Sequence, residues 1–227
     1  MILPRLFEHL PACLAASYTP EAPWELLGSP LDELLAQLPD QRINGLIEPD
    51  VHISGSGIVI EKGARICSGA VLQGPVRIGE DCQIRSGAIL RGGVWLENGC
   101  VVGASSEIKH CIFLSGAAAP HLNYVGDSIL GARVNLGAGT ILSNFRHDGA
   151  DITIGTGDDS SPTGRRTLGA ILGDRVLTGC NCVLHPGCLI GAGTQLYPGV
   201  QLRSGVHPAN TIIKLRQELE IVEKRES

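Results

Sequence analysis

Residues 58–103 read IVIEKGARICSGAVLQGPVRIGEDCQIRSGAILRGGVWLENGCVVG. A large aliphatic residue recurs at every sixth position here, and the series continues without a gap to residue 114. Two positions before each of these residues stands a side chain that is mostly small or aliphatic. The sixfold positions are Ile60, Ile66, Leu72, Ile78, Ile84, Leu90, Leu96, Val102, Ile108 and Leu114. A period of six fits neither an α-helix nor a series of hairpins, so the internal repeat decides the fold.

Repeats of six residues predict an all-β solenoid, a parallel β-helix in which three short strands make one coil of about 18 residues. The aliphatic residue of each repeat points inward, and neighbouring coils pair at ~4.8 Å. The 30 glycines suit the corners, and the low aromatic content of 4% suits a narrow interior. The frame resumes at Leu130 and, after a second break, at Leu172. We expect the two interruptions, residues 115–124 and 143–168, to form loops.

The chain is predicted to have three parts. Residues 1–45 form an N-terminal helical cap, residues 46–206 form the β-helix, and residues 207–227 form a C-terminal helix. Ser29-Pro30 followed by two acidic residues is a typical helix start, and apolar residues from Ile212 to Val222 recur at helical spacing. Because the end strands of a solenoid are open edges, we expect the helices to cover them.

Composition excludes several function classes. The net charge of −5 provides no basic field for nucleic acid, and no apolar run approaches the ~18 residues needed to cross a bilayer. The eight cysteines form no CxxC motif and have no matching histidine pair. They are therefore predicted to be buried small hydrophobes in a reducing compartment. The sequence shows no signal peptide. We expect a cytoplasmic protein without nucleic-acid or membrane partners.

The spacing brings two cations together. Arg91 and Lys109 lie 18 positions apart, and each directly follows an inward residue of the repeat. Both are predicted to point outward on one face, one coil apart. A bound anion such as phosphate would turn their mutual repulsion into attraction. Alternatively, the two long side chains splay into solvent at little cost. The spacing leaves both possibilities open.

His121 lies in the first interruption, just after the coils that carry these cations. A histidine beside a phosphate site is a candidate general base, although a loop histidine is often only a surface residue. The other histidines share neither an 18-residue nor a short metal spacing with it. No metal site is predicted.

A longer pattern starts at Arg91. It comprises Glu107-Ile-Lys109, His121-Leu-Asn-Tyr124-Val-Gly-Asp, Val134-Asn135-Leu-Gly-Ala-Gly-Thr140, Ser143-Asn144 and Leu172-Gly-Asp. In order and spacing it resembles the acetyltransferase domain of the bifunctional N-acetylglucosamine-1-phosphate uridyltransferase/glucosamine-1-phosphate acetyltransferase family. The resemblance covers roughly residues 50–205. It implies a left-handed coil, a homotrimer, acetyl-CoA as donor and an amino-sugar 1-phosphate as acceptor.

The resemblance also implies roles for individual residues. Arg91 and Lys109 would hold the phosphate, and His121 would take the proton from the attacking amine. The sugar would be held by Tyr124, Asn135 and Asn144. The peptide N–H of Ala138 would face the oxyanion. The remaining residues implied on the coenzyme side are Cys180, Arg165 and Arg166.

The sequence departs from the family pattern on that side. Phe145 replaces a tyrosine, and Cys180 replaces a serine near the thiol arm of the coenzyme. Arg165 and Arg166 are the candidates to replace basic residues of the family. No nucleotide-binding α/β domain precedes residue 46, so no uridyltransferase activity is expected. Two alternatives stay open: a hexapeptide acyltransferase with another, nucleotide-linked amino sugar as acceptor, and a non-catalytic trimeric scaffold that binds a sugar phosphate.

Overall fold

The solenoid predicted from the repeat is confirmed in a computed structural model that describes residues 3–155 and 160–222. Parallel strands of adjacent coils pair in a register of 18, as in the series Ile58, Val76 and Val94. The aliphatic residues of the repeat fill one continuous interior cluster and are almost fully buried. The fold is a left-handed parallel β-helix of hexapeptide repeats.

The helices are few and lie before the solenoid. They are α1 (Ala12–Ala15), a 3-10 helix (Pro23–Leu27) and α2 (Ser29–Ala36). The strands are short. In chain order they are β1 Gln41–Ile43, β2 Leu46–Ile47, β3 His52–Ser54, β4 Ile58–Ile60, β5 Arg65–Ile66, β6 Val71–Gln73, β7 Val76–Ile78, β8 Gln83–Ile84, β9 Ile89–Leu96, β10 Val101–Ala104, β11 Glu107–Phe113, β12 Ala118–His121, β13 Tyr124–Gly126, β14 Ile129–Leu130, β15 Ile141–Leu142, β16 Ile152–Ile154, β17 Ser161–Arg165, β18 Ala170–Leu172, β19 Leu177–Thr178, β20 Val183–Leu184, β21 Cys188–Ile190, β22 Gln195–Leu196, β23 Gln201–Leu202, β24 Gly205–His207 and β25 Ile212–Ile213.

The strands form three faces. Face 1 contains β1, β4, β7, β14, β18, β21, β24 and the second halves of β9 and β11. Face 2 contains β3, β6, β13, β15, β20, β23 and the first halves of β9 and β11. Face 3 contains β2, β5, β8, β10 and β12, then β19, β22 and β25. We call the edge between faces 2 and 1 corner A, and the edge between faces 3 and 2 corner B.

The interruption at residues 115–124 is not a loop, and this prediction is wrong. The register shifts by one residue between Lys109 and Cys111, so two coils have 17 residues instead of 18. As a result Phe113, and not Leu114, enters the interior. β12 and β13 then continue faces 3 and 2. A count of six residues does not reveal the shift, because Leu114 at the counted position is also apolar.

The interruption at residues 143–168 does leave the solenoid, at corner A. The chain exits after β15 and re-enters at β18, with β16 and β17 forming an antiparallel hairpin between them. The peptide N–H of Leu168 donates to the carbonyl of Asn144 at 3.0 Å, and Phe145 forms a bridge with Thr167. These contacts close the neck of the insertion. Part of this predicted loop, residues 156–159, lies outside the described residues.

The helical part of the N-terminal segment covers a side of the solenoid, whereas β1 pairs with β4 at its first edge. The outward column of face 1 is apolar and includes Trp95, Ile112, Ile129 and Ile171. This column packs with buried side chains of the helical segment and of the hairpin in a second hydrophobic cluster. The expectation of an end cap is corrected for a physical reason: an apolar outer face must be covered to be stable in water.

The C-terminal helix is also not observed. Residues 207–222 contain the end of β24 and then β25, which pairs with β22, and no helix. The pairing of β25 continues face 3 and takes precedence over the helical spacing of the apolar residues. Residues 223–227 lie outside the described part of the chain. Within the part that is described, no helix is long and apolar enough to cross a membrane.

The cysteines behave largely as predicted. All eight are free thiols, and five of them are buried. All five buried thiols lie in the interior cluster, namely Cys82, Cys100, Cys111, Cys182 and Cys188. Burial raises the pKa of the Cys188 thiol to about 12. The Cys188 thiol therefore stays protonated at neutral pH and acts as a small hydrophobic side chain.

Candidate functional site

Face 2 carries two outward cations stacked one coil apart. Lys109 is the register partner of Arg91, as the spacing predicts. Each cation is held by a carboxylate. Nη1 of Arg91 lies 2.7 Å from Oε1 of Glu107, and Nζ of Lys109 lies 3.5 Å from Oδ2 of Asp127. The first pair is partly exposed, whereas Asp127 is buried. The two side chains are therefore oriented by carboxylates and do not simply splay into solvent.

An amide and a phenol continue the same face on the next coils. Tyr124 pairs with Glu107 in register, and its hydroxyl lies 3.3 Å from Oδ1 of Asn144. Gly126, the partner of Lys109, leaves room for both side chains. A Cβ at this position would lie 2.6 Å from Nδ2 of Asn144 and 2.8 Å from the hydroxyl of Tyr124. Burial raises the pKa of Tyr124, which keeps its hydroxyl available as a donor at neutral pH.

Asp127 joins these groups from corner A. Its Oδ2 accepts a hydrogen bond from Nδ2 of Asn144 at 2.5 Å, and its Oδ1 accepts one from Thr167 at 3.1 Å. Nδ1 of His110 lies 3.2 Å from Oδ1. Burial by itself raises the pKa of Asp127, but His110, the amide of Asn144 and the charge of Lys109 lower it to about 2. The carboxylate is therefore ionised at neutral pH and holds both Lys109 and Asn144.

Sequence reasoning missed the contribution of Asp127 and His110. The strict count of 18 places Asp127 directly below Lys109, where it would point outward. The shortened coil places Gly126 there instead and turns Asp127 into the corner. The sequence contains one signal for this arrangement: the repeat of six residues does not continue through Gly126 and Asp127. That mismatch marks a shortened coil.

Corner B brings together three of the predicted site residues. His121 pairs with Ala104 at the end of β12, and its carbonyl accepts the N–H of Gly139 at 3.1 Å. The peptide N–H of Asn181 donates to the carbonyl of Ala138 in the same way one coil further on. His121, Ala138 and Cys180 therefore stack in one column. His121 and Cys180 are exposed.

The other predicted residues lie apart from this column. Asn135 is exposed on face 3, between Ala118 and Leu177 in the ladder. Arg165 lies on the hairpin beside corner A, where its Nε donates to the carbonyl of Thr167 at 3.3 Å. Burial lowers the pKa of Arg165, and Asp127 and Asp32 oppose this effect. The structure does not bring Arg165 to Cys180.

Arg166 is exposed on the insertion and reaches the turn at Gly149. Its Nη2 would lie 3.2 Å from a Cβ added to that glycine. The structure therefore places both arginines of the insertion on the corner A side of face 2, away from the column of Ala138. Their predicted role with the coenzyme stays a prediction.

Face 2 continues past Asn144 into an open cavity of about 440 Å³. Its wall combines an exposed aromatic ring with imidazole and hydroxyl groups. The lining residues are Ser143, Phe145, Arg146, His147, Asp148, Val183, His185 and Pro186. Arg146 and Asp148 are held together by a bidentate ion pair. Residues 3–155 and 160–222 contain no group of three or more His, Cys, Asp or Glu side chains placed to hold a metal ion.

The coil repeat and the polar face define the class of protein as a hexapeptide-repeat transferase. The family profile described as bacterial transferase hexapeptide (six repeats) matches residues 57–92 and 75–110. An uncharacterized acetyltransferase of Escherichia coli, YaiX, is 36% identical over 166 residues, which are 73% of this chain and 71% of that protein. The chain therefore belongs to the hexapeptide-repeat acetyltransferase family.

Two longer relatives support the predicted resemblance. The bifunctional sugar-1-phosphate nucleotidylyltransferase/acetyltransferase of Sulfurisphaera tokodaii is 39% identical over 71% of this chain and 40% of that protein. The bifunctional protein GlmU of Methanococcus maripaludis (strain C7) is 38% identical over 89% of this chain and 48% of that protein. The chain spans about half the length of these curated relatives or less.

Proposed function

We propose that the protein is an acetyl-CoA-dependent N-acetyltransferase that acts on an amino-sugar 1-phosphate, with His121 as general base. The observation that carries the proposal is the layout of face 2. A pair of stacked cations lies toward corner A, and an exposed histidine lies at corner B. β13 separates them with three residues, a span of about 10 Å. In glucosamine 1-phosphate the amine and the phosphate are on adjacent carbons, so the long side chains of Lys109 and His121 would reach the acceptor over β13 from its two sides.

The acceptor end suits a phosphate group. The ion pair between Arg91 and Glu107 is partly exposed and contributes little free energy, so a phosphate dianion can replace the carboxylate. Lys109 is held differently, because its partner Asp127 is buried. It can contact a phosphate while Asp127 still fixes its position. Tyr124 and Asn144, joined to each other on the next coils, supply donors and acceptors for sugar hydroxyls.

The reaction at corner B is an acyl transfer. The amine nitrogen attacks the thioester carbon and gives its proton to His121 as the C–N bond forms. The negative charge develops on the carbonyl oxygen, which the peptide N–H of Ala138 can stabilise. The C–S bond then breaks, and CoA leaves as the thiolate, which takes up a proton. The coenzyme would lie along the column that runs from His121 to Cys180.

Further support comes from the relatives' names. The Sulfurisphaera tokodaii relative is described as a sugar-1-phosphate nucleotidylyltransferase/acetyltransferase. The family resemblance adds a homotrimer with sites between neighbouring solenoids. The relative's described activity and the homotrimer support the proposal, but the geometry of a single chain shows neither.

The test is CoA release from acetyl-CoA with glucosamine 1-phosphate as acceptor. The His121→Ala variant should lower kcat by about 10²–10⁴-fold, the range for loss of a general base. Its matched control is His52→Ala, which removes an exposed histidine elsewhere on face 2. Lys109→Ala should raise KM for glucosamine 1-phosphate but not for unphosphorylated glucosamine. Equal kcat in the wild type and His121→Ala would refute the mechanism.

The cavity beyond Asn144 favours a second candidate acceptor. Its volume of about 440 Å³ and its exposed Phe145 ring could take the base of a nucleotide-linked amino sugar by stacking. Turnover with a nucleotide-linked amino sugar and none with the free sugar phosphate would establish this acceptor. A non-catalytic scaffold would instead bind the sugar phosphate in calorimetry and fail to bind acetyl-CoA.

A further inference from the structure

His110 lies at corner A in a backbone conformation that several other non-glycine residues of the solenoid share. It has a φ of 51°, in the left-handed region that glycine and asparagine tolerate best. It also marks the point where the coil loses one residue. The preceding coil has Gly93 here, and a Cβ on that glycine would lie 2.8 Å from Cδ2 of His110. Gly93 therefore leaves room for the imidazole of His110 in the corner.

The imidazole lies between two carboxylates from different parts of the chain. Nδ1 is 3.2 Å from Oδ1 of Asp127, and Nε2 is 3.7 Å from Oδ1 of Asp32 on α2. Nδ1 is buried and has no aligned hydrogen-bond partner in the described part of the chain. Two cations complete the surroundings: Lys109 on the same strand, and Arg165 on the hairpin, which acts electrostatically on both carboxylates.

These contacts connect His110 to the cation that faces the acceptor. Asp127 divides its negative charge between His110 on one oxygen and Lys109 on the other. Histidine is the side chain that changes charge near neutral pH. When His110 is neutral, Lys109 is the main cation that balances Asp127. When His110 is protonated, it shares that carboxylate and leaves the ammonium of Lys109 more available to an incoming anion.

We propose that His110 is a positioning residue that sets the anion affinity of Lys109 through Asp127, with Asp32 of the N-terminal helix supporting its protonated form. The inference rests on the proposed function, since it concerns the same acceptor subsite. It predicts that the subsite binds a dianion more tightly when His110 carries a proton. It also assigns a task to the N-terminal segment, which provides one of the two carboxylates.

The test measures sulfate binding by calorimetry between pH 5.5 and 8.5, because sulfate keeps a constant charge over that range. One added unit charge near the anion should tighten binding by about three- to tenfold at the lower pH. In His110→Asn, sulfate affinity should lose this pH dependence. Asparagine tolerates the left-handed backbone, so the variant should fold. His9→Asn, an exposed histidine on the N-terminal segment, is the matched control and should keep the dependence.

A second variant tests the effect of Asp32 on His110 without changing a residue of corner A. Asp32 is largely exposed, so Asp32→Asn should fold and should weaken the pH dependence of sulfate affinity. A merely structural role of His110 would lower the thermal midpoint of His110→Asn but leave the pH dependence of sulfate binding in place. An unchanged dependence in His110→Asn would overturn the proposal, as would its absence in the wild type.

Sulfate affinity tests the role of His110, whereas CoA release tests the proposed acetyl transfer. A pH-dependent sulfate site without CoA release would leave the role of His110 standing and refute the acetyl transfer. CoA release with sulfate affinity that is the same at all pH values would do the opposite.

Discussion

Asp127 holds a negative charge inside the protein at the point where the solenoid, the hairpin and the site meet. A buried carboxylate is stable as an anion only when it is fully paired. Its partners Asn144, Thr167, Lys109 and His110 come from three separate parts of the chain. The same contacts that stabilise the anion therefore hold the candidate acceptor residues Lys109 and Asn144, and stability and the geometry of the candidate site are coupled at this residue.

This coupling predicts an acid dependence of stability. The pKa of Asp127 falls from the ordinary 3.8 to about 2 on folding. Because the folded pKa is lowered, the stabilisation is present above about pH 4 and is lost as pH falls towards 2. The difference in free energy of unfolding between the wild type and Asp127→Asn should thus shrink by about 2 kcal/mol from pH 5 to pH 2. Urea unfolding at both pH values measures it.

Asp148 provides the matched control for this measurement. Its pKa is also lowered, mainly by Arg146, but the carboxylate is fully exposed, so solvent screens the interaction. Asp148→Asn should change the pH dependence of stability much less than Asp127→Asn does. A wild-type advantage over Asp127→Asn that stays constant from pH 5 to pH 2 would contradict the assignment.

Single residues show which parts of the site the sequence could predict. The stacking of Arg91 and Lys109 followed from a spacing of 18, because an outward position repeats with the coil. Their carboxylate partners did not follow. Glu107 does not lie in the column of Arg91, so a count of 18 does not pair these two residues. The position of Asp127 beside Lys109 depends on where the coil is shortened. Spacing predicts the column of a residue, but the partner of a long side chain depends on rotamers and corners.

Elements that do not belong to the solenoid determine how much of it is exposed. α2 and the 3-10 helix place apolar side chains against Trp95 and its neighbours on face 1. α2 is also the element that carries Asp32 to His110. The eight-residue helix would be marginal by itself, so its stability comes from this packing. Loss of the packing should weaken both the fold and the support of His110.

The helix packing can be tested with two leucines of α2. Leu31 is fully buried, whereas Leu34 is only partly buried. Leu31→Ala should lower the free energy of unfolding by about 2–5 kcal/mol, because it removes buried methyl groups and leaves a cavity. Leu34→Ala should cost clearly less. Denaturant unfolding of the two variants compares them directly. Equal losses would show that α2 is not anchored through its buried face.

Element prediction succeeded where the period was strict and failed where it changed. The strands from β4 to β10 were predictable from a repeat of six. β12 and β13 were mistaken for a loop because one missing residue at His110 moves the later inward positions out of the counted frame. The C-terminal residues have helical spacing, yet β25 pairs with β22. A local pattern cannot show that an edge strand nearby is available for pairing.

The whole molecule has three faces with different surfaces. Face 1 is covered by the N-terminal segment and the hairpin, and face 2 carries the candidate acceptor site. Face 3 exposes apolar side chains near both ends, among them Leu46, Leu177 and Ile212. Asn135, a predicted sugar contact, lies on face 3 and away from Lys109. One chain therefore does not gather all predicted residues into one pocket, and a neighbour that packs on face 3 is the simplest way to complete the site.

This layout leads to a prediction about assembly. The protein should have three times the 23.9 kDa mass of one chain in light scattering, in line with the proposed homotrimer. Leu177→Arg should shift it toward the monomer, because an unpaired charge buried in an interface costs several kcal/mol. CoA release should fall with the trimer fraction. Leu219→Arg adds the same charge to the exposed C-terminal segment and should change neither. A monomeric wild type, or a fully active trimeric Leu177→Arg, would show that face 3 is not the interface.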